Sequence, residues 1–315
     1  MVSAESFTRR TVEVPSLVRV RVRLDVWYYR PAGNGPHPVV IGGPGLTATK
    51  DAGLAAFGER WARDAGWASL IFDYRGFGHS EGEPRNVVDF ESQLQDYQSV
   101  ISWARSRPQD FLADRIVVMG SAASGLQVAE LVVNDGALAG GMAHCPILDA
   151  KATLTSTSPN LRLLFWAGVD YARKGLGLSP IFVRAIGNPG EFALLNSPSS
   201  LPGFTSMFAQ GSTPFSGAPN LIAPRFVIDA LGVRPGLRLK DARCPMLIVM
   251  AEEDDLIPAS ITRKMVDDAD GRAQLVVVPC GHFEIMKGGK GFEANITAQV
   301  KFLQGLIHPH VASDS

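Results

Sequence analysis

Residues Arg115-Ile-Val-Val-Met-Gly-Ser-Ala-Ala-Ser-Gly125 constrain this chain more tightly than any other segment. Ile116 to Met119 is a short apolar, β-branched run, which reads as a buried strand. Gly125 to Val133 follows almost at once with the apolar spacing of a helix. A chain that passes from strand to helix over so few residues must bend sharply. Only small side chains let the two segments touch at such a bend. Gly120 and Ser124 stand two places before and two places after Ala122. The pattern therefore predicts a tight turn with Ala122 at its tip.

Other short apolar runs repeat the strand signal. Pro38 to Gly43, Ala68 to Asp73, Ala139 to Ile147, Pro245 to Met250 and Gln274 to Val278 read as strands. Phe90 to Arg105 and Phe292 to Leu306 read as helices. Strands alternating with helices favour a mostly parallel sheet covered on both faces. Val18, Val20, Val22 and Leu24 alternate with Arg19, Arg21 and Arg23, the period of a charged edge strand. Residues 151–225 break the rhythm. They hold one apolar-rich helix, Asn160 to Arg173, and then a long stretch dense in Pro, Gly and Ser. So long a connection inside a domain predicts a cap or lid with short elements of its own.

Composition excludes several classes. The net charge of −1 leaves no electrostatic footprint for nucleic acid. There is no apolar window long enough to span a bilayer, and Met1-Val-Ser-Ala-Glu-Ser lacks the pattern of a secretory leader. Cys145, Cys244 and Cys280 include no CxxC pair, so neither a disulfide framework nor a zinc site is expected. No metal and no cofactor are expected, and the chain is expected to be cytoplasmic.

A sharp strand-to-helix bend is where acyl-transfer enzymes expose a nucleophile, with a helix N-terminus behind it. The tip here is alanine. The partners of such a nucleophile still follow in order, acid and then histidine. The strand ending at Met250 opens into Ala251-Glu-Glu-Asp-Asp-Leu-Ile-Pro258, which would otherwise be a solvated acidic loop. Asp254 is the chosen acid, with Asp255 and Glu253 as alternatives. His282, in Val278-Pro-Cys-Gly-His282, is placed on the loop after the last strand. Two backbone N–H groups should stabilise an oxyanion: that of Ala123, next after the tip, and that of Leu46 in Gly42-Gly-Pro-Gly-Leu46.

Competing readings carry less. Gly43-x-Gly45-x-x-Ala48 mimics a dinucleotide fingerprint but leaves the later Asp and His motifs unexplained. No GK[ST] follows those glycines. Ser121 and Ser124 both miss the tip. Cys280 shares the histidine's own loop and would point away from the bend. His144 and Cys145 end a strand near the site and could line a pocket.

Taken together these motifs resemble the α/β-hydrolase superfamily over nearly the whole chain. Phe72-Asp-Tyr-Arg-Gly-Phe-Gly-His-Ser80 and Glu83-Pro-Arg85 are further matches. Gly187-Asn-Pro-Gly-Glu-Phe-Ala193 resembles a narrower group of fungal and bacterial hydrolases and polyketide transferases. The resemblance implies an α/β-hydrolase fold with a mostly parallel central sheet and a helical cap inserted after the sixth strand. Residues 1–150 and 226–315 would form the core, and 151–225 the cap. It implies a serine-type hydrolase or acyltransferase for a hydrophobic ester, thioester or lactone, with a polyketide among the options. Ala122 departs from the family, where serine stands. The leading reading is a serine deliberately exchanged for alanine, giving an inactive form that still holds its ligand. A natural non-catalytic binding relative, and a noncovalent lyase or cyclase using His282 as base, are the alternatives. Phe165 and Trp166 on the cap helix, with His144, are expected to contact the substrate. The expected partner is a hydrophobic small molecule, with neither nucleic acid nor membrane; a homodimer is compatible with this reading.

Overall fold

Apolar runs that are buried on both faces pair into a sheet because their backbone groups have no water to bond. In the computed structural model, which describes residues 6–18, 22–156 and 160–307, that sheet has eight strands. In chain order the strands are β1 (Phe7–Pro15), β2 (Arg23–Pro31), β3 (His37–Gly43), β4 (Ala68–Phe72), β5 (Phe111–Ser121), β6 (Gly140–His144), β7 (Val183–Arg184), β8 (Leu221–Ile222), β9 (Met246–Ala251) and β10 (Ala273–Val278). The helices are α1 (Ala55–Ala65), α2 (Phe90–Arg105), α3 (Gly125–Asn134), α4 (Ala150–Thr155), α5 (Leu161–Gly175), α6 (Ser200–Phe208), α7 (Phe226–Asp229), α8 (Ala259–Asp267) and α9 (Phe292–Ile307).

The main sheet runs β1-β2-β4-β3-β5-β6-β9-β10, while β7 and β8 form a separate pair. Strand β2 is antiparallel to both β1 and β4, and every other pairing in the main sheet is parallel. Because β3 pairs with β4 on one side and β5 on the other, the strand order reverses there. Open sheets bind ligands at the carboxyl ends of the strands beside such a reversal. Gly43 and Gly120 are register partners at that edge, as are Ser121 and His144. The loops after β3, β5 and β6 therefore leave the sheet side by side.

One expectation needs correction. Of the alternating valines and arginines of 18–24, Arg23 and Leu24 lie in β2, whereas Val18 and Val22 lie outside the strands. Ser16 N–H donates to the Val22 carbonyl at 2.8 Å, closing a connection between β1 and β2, which pair antiparallel. Arg19, Val20 and Arg21 lie outside the described residues. A period of two signals extended chain but not where a strand begins or ends.

Between β6 and β9 the chain builds the insertion: α4, α5, the β7–β8 pair, α6 and α7. Asp170 of α5 is buried and accepts two side-chain hydrogen bonds from Arg225, at 2.8 and 2.7 Å. This ties the first long helix of the insertion to its last turn before the core resumes. No helix among the described residues is long and apolar enough to cross a membrane.

Candidate active site

Strand β5 ends at Ser121, and a single helical turn starts at Ala122 ahead of α3. Ala122 has φ of 47°, the left-handed region that a side chain other than glycine's occupies only when its surroundings enforce it. Gly120 makes the bend possible: a Cβ there would lie 2.5 Å from the Ser124 carbonyl oxygen. Ser124, small as the turn requires, is also a tie. Its hydroxyl donates to the Pro44 carbonyl and accepts from Tyr74 Oη at 2.5 Å. The Pro44–Leu46 loop is thereby held against the tip, where a Cβ on Gly45 would come within 3.3 Å of Ala122 Cβ.

Leu46 and Ala122 line one pocket. Among the described residues the Leu46 N–H has no hydrogen-bond acceptor. Ala123 N–H belongs to the first turn of a helical segment, where donors lack partners within the helix. Both backbone donors named from the sequence thus border the tip and are free to meet an oxygen.

The acidic loop sorts its carboxylates by partner. Asp254 Oδ1 accepts from Leu256 N and Ile257 N, each at 2.8 Å, and Oδ2 lies 2.7 Å from His282 Nδ1. A carboxylate only accepts, so Nδ1 carries a proton, and in the neutral ring Nε2 is then the nitrogen with the lone pair. Asp255 instead bonds Ser199 Oγ at 2.5 Å, and Glu253 pairs with Lys290 at 3.1 Å. His282 lines the same pocket as Ala122.

Apolar side chains make up most of the rest of the wall. Leu195, Phe204 and Met207 come from the insertion, and Leu256, Phe283 and Met286 come from the acid and histidine loops. Phe283 packs edge-on against Phe204, ring centroids 5.4 Å apart. Gly203 is needed for this, since a Cβ there would fall 2.1 Å from Phe283 Cγ.

Phe165 and Trp166 do not line the pocket. Phe165 is 62% exposed, and Trp166 packs partly buried against the core. The apolar surface of α5 runs around the helix, so periodicity could not say which part faces the site. His144 does line the pocket, but neither ring nitrogen is free. Nε2 meets Ser121 Oγ at 2.8 Å, and Nδ1 faces Asn295 Nδ2 at 3.3 Å. Burial, reinforced by the charge of His282, pushes its pKa down to about 3.

Cys145, Asp254 and His282 bring three potential metal-ligating atoms within 4.8 Å of one another. Two of those groups are already bonded to each other, and burial holds the Cys145 thiol well above its ordinary pKa. A neutral thiol packed on a carboxylate–imidazole pair fits this donor set better than a metal centre. Cys280 is fully buried behind the loop, with its sulfur toward Gly291, and stays out of the pocket.

Sequence reading passed over the pocket wall of α6 because the surrounding Pro, Gly and Ser hide it. It also passed over Lys50, fully buried between Asp73 Oδ2 at 2.5 Å and Asp25 Oδ1 at 2.6 Å. That lysine anchors the end of the loop that begins at Pro44. A lysine next to an aspartate in a turn carries no sign of burial in sequence.

The family described as "Alpha/beta hydrolase family" matches residues 17–287. The chain is 31% identical over 288 residues to the quorum-quenching protein AidA of Acinetobacter baumannii, covering 91% of this chain and 92% of that one. It is 26% identical over 189 residues to the polyketide transferase grgF of a Penicillium species, covering 60% and 61%. Among solved structures, the complex of DcsB with its substrate analogue superposes with a TM-score of 0.77 at 21% identity, covering 95% of this chain and 99% of that one.

Proposed function

This chain belongs to the alpha/beta hydrolase family, and on that premise we propose that its pocket is an acyl-transfer site in which alanine stands where the reaction needs a serine oxygen. The observation that carries the reading is the Asp254–His282 pair at 2.7 Å, opening into the pocket tipped by Ala122.

With serine at 122, the hydroxyl oxygen would attack the acyl carbon while its proton passes to His282 Nε2. Asp254 would hold the imidazole in the tautomer that leaves Nε2 able to accept, and would stabilise the imidazolium. The Leu46 and Ala123 N–H groups would take up the charge on the acyl oxygen, each worth about 3 kcal/mol. Collapse would expel the leaving group with the proton from His282, leaving an acyl-enzyme. Water or another hydroxyl would release the acyl group by the same steps in reverse. Without the serine oxygen, turnover by this route falls by about six orders of magnitude while ground-state binding persists. The protein as it stands is therefore read as a holder of its ligand, in the form a serine-to-alanine exchange creates.

The substrate class is a hydrophobic ester, thioester or lactone. Leu195, Phe204, Met207, Leu256 and Phe283 surround the tip with apolar surface, and one relative is named a polyketide transferase. Residues 151–225 act as the cap, since α6 supplies Phe204 and Met207 to the wall. All three cysteines are buried and unpaired, which suits the reducing cytoplasm.

The test is Ala122→Ser followed by assay with a short aryl ester. Hydrolysis rising by several orders of magnitude over the unmodified chain is expected. No gain, with the fold intact by circular dichroism, overturns the acyl-enzyme reading.

A further inference from the structure

A buried line of side chains runs from α1 through α9 to the edge of the pocket. The Trp61 indole, which can only donate, gives its Nε1–H to Gln299 Oε1 at 3.0 Å. Gln299 must then present its amide nitrogen on the other side, where Nε2 donates to Asn295 Oδ1 at 2.7 Å and faces His144 Nδ1 at 3.5 Å. Asn295 in turn directs its nitrogen at the Ile285 carbonyl, 3.2 Å away, and at His144 Nδ1, 3.3 Å away. A carbonyl can only accept. The indole and the carbonyl are both one-way groups, and between them they fix the orientation of each amide.

His144 Nδ1 thus meets donors alone and must be the nitrogen without a proton. The proton sits on Nε2 and is donated to Ser121 Oγ at 2.8 Å. Ser121 cannot lose its own proton to a nitrogen that already carries one, so this histidine does not make it a nucleophile. The serine hydroxyl, having accepted, retains a proton to donate. Among the described residues nothing accepts it, and Ser121 lines the pocket beside Ala122.

We infer that Ser121 is a hydrogen-bond donor aimed into the pocket, set in that sense by Trp61, Gln299, Asn295 and His144, and that it receives an oxygen of the ligand close to the scissile acyl group. This rests on the pocket being the ligand site proposed above. The ligand class narrows accordingly, from hydrophobic acyl compounds at large to those with an oxygen acceptor on the acyl chain next to the reacting carbonyl. Ser121 directly precedes the tip, so the acceptor belongs within a few bonds of the acyl carbon. A pocket that offers such a donor discriminates against a ligand lacking the acceptor, because the hydroxyl is then desolvated without a partner.

Two measurements on the unmodified chain and on Ser121→Ala test this. In 15N-histidine spectra of the unmodified chain, His144 should show Nε2 protonated and Nδ1 unprotonated between pH 5 and 9. In binding, which Ala122 keeps free of acyl-enzyme turnover, ethyl 2-oxooctanoate or ethyl 3-oxooctanoate should bind about tenfold more tightly than ethyl octanoate. Ser121→Ala should abolish that preference by weakening both oxo esters and tightening ethyl octanoate, which no longer leaves a hydroxyl desolvated without a partner. A proton on Nδ1, or an equal loss of affinity for all three esters in Ser121→Ala, overturns the inference. Good binding of ethyl octanoate without preference for either oxo ester also overturns it, and leaves the acyl-transfer reading standing. Failure of all three to bind overturns both.

Discussion

His282 Nδ1 stands 2.7 Å from Asp254 Oδ2, and the other oxygen of that carboxylate receives the backbone N–H groups of Leu256 and Ile257. The two N–H groups hold the carboxyl plane, and the carboxyl plane holds the ring. This arrangement stands beside an alanine, so the orientation of the imidazole does not depend on an oxygen at the tip.

In an Ala122→Ser background, Asp254→Asn should lower kcat by about ten thousandfold with little change in KM, because the amide no longer selects the productive tautomer. Asp255→Asn should change kcat less than about threefold, since that side chain serves Ser199 instead. Steady-state kinetics of the two double variants on one aryl ester separates these outcomes. Similar losses for both would reassign the acid.

His144 sets a dependence of stability on pH. Its folded pKa is pushed down to about 3 by burial first and by His282 second, while an unfolded histidine titrates near 6.5. Below about pH 6.5 the unfolded chain binds a proton that the folded chain refuses, so stability is complete above that pH and falls as pH drops toward 3. Between pH 7 and pH 5 the loss from this residue should be about 2 kcal/mol. Urea unfolding at both pH values, compared with His144→Asn, should show the variant losing less by that amount. Parallel losses in the two proteins would show that His144 is not the source.

Gly120→Ala should destabilise the fold by about 3 kcal/mol, because the new Cβ meets the Ser124 carbonyl at 2.5 Å and backbone cannot swing aside. The thermal midpoint measures this. Gly168→Ala, at an insertion position where a Cβ meets nothing within 4 Å, should leave the midpoint nearly unchanged.

Lys50→Ala should cost about 3–5 kcal/mol by stranding Asp73, whose side chain is fully buried. Lys50→Ala combined with Asp73→Ala should recover part of that loss, because the fully buried carboxylate is then gone and only the partly exposed Asp25 is left without its partner. A double variant no more stable than the single one would mean that packing, not charge, governs the site.

The sheet could be read in advance wherever a strand is buried on both faces. Pro38 to Gly43 and Pro245 to Met250 are apolar runs closed by turn residues, and each became a strand within a residue, while Ile116 to Met119 became the buried end of a longer strand that begins at Phe111. The edge was harder to read. β1, Phe7-Thr-Arg-Arg-Thr-Val-Glu-Val-Pro15, is half solvated and mixes charge into its alternation. α1 went unread because Gly58 interrupts it, and that glycine is there to admit the ring of Tyr29. In the insertion, α5 was legible as an apolar helix, but its orientation was not; Phe165 turned outward and α6 supplied the wall.

Ala122, Asp254 and His282 each follow a strand of one parallel sheet, and their order along the chain was enough to expect them at one edge of it. Strand ends are local features, and a parallel sheet brings all its carboxyl ends together. The sequence alone thus determined the buried strands and the bend, and named Asp254 and His282 as candidates. Only the tertiary structure decided which residues wall the pocket and which way Ser121 points its proton. Trp61, Ser121, His144 and the Asn295–Gln299 pair come from four separate elements, α1, β5, β6 and α9. Hydrogen-bond direction among them depends on which groups can only donate or only accept once packing has brought them within 3.5 Å, and no local pattern encodes that.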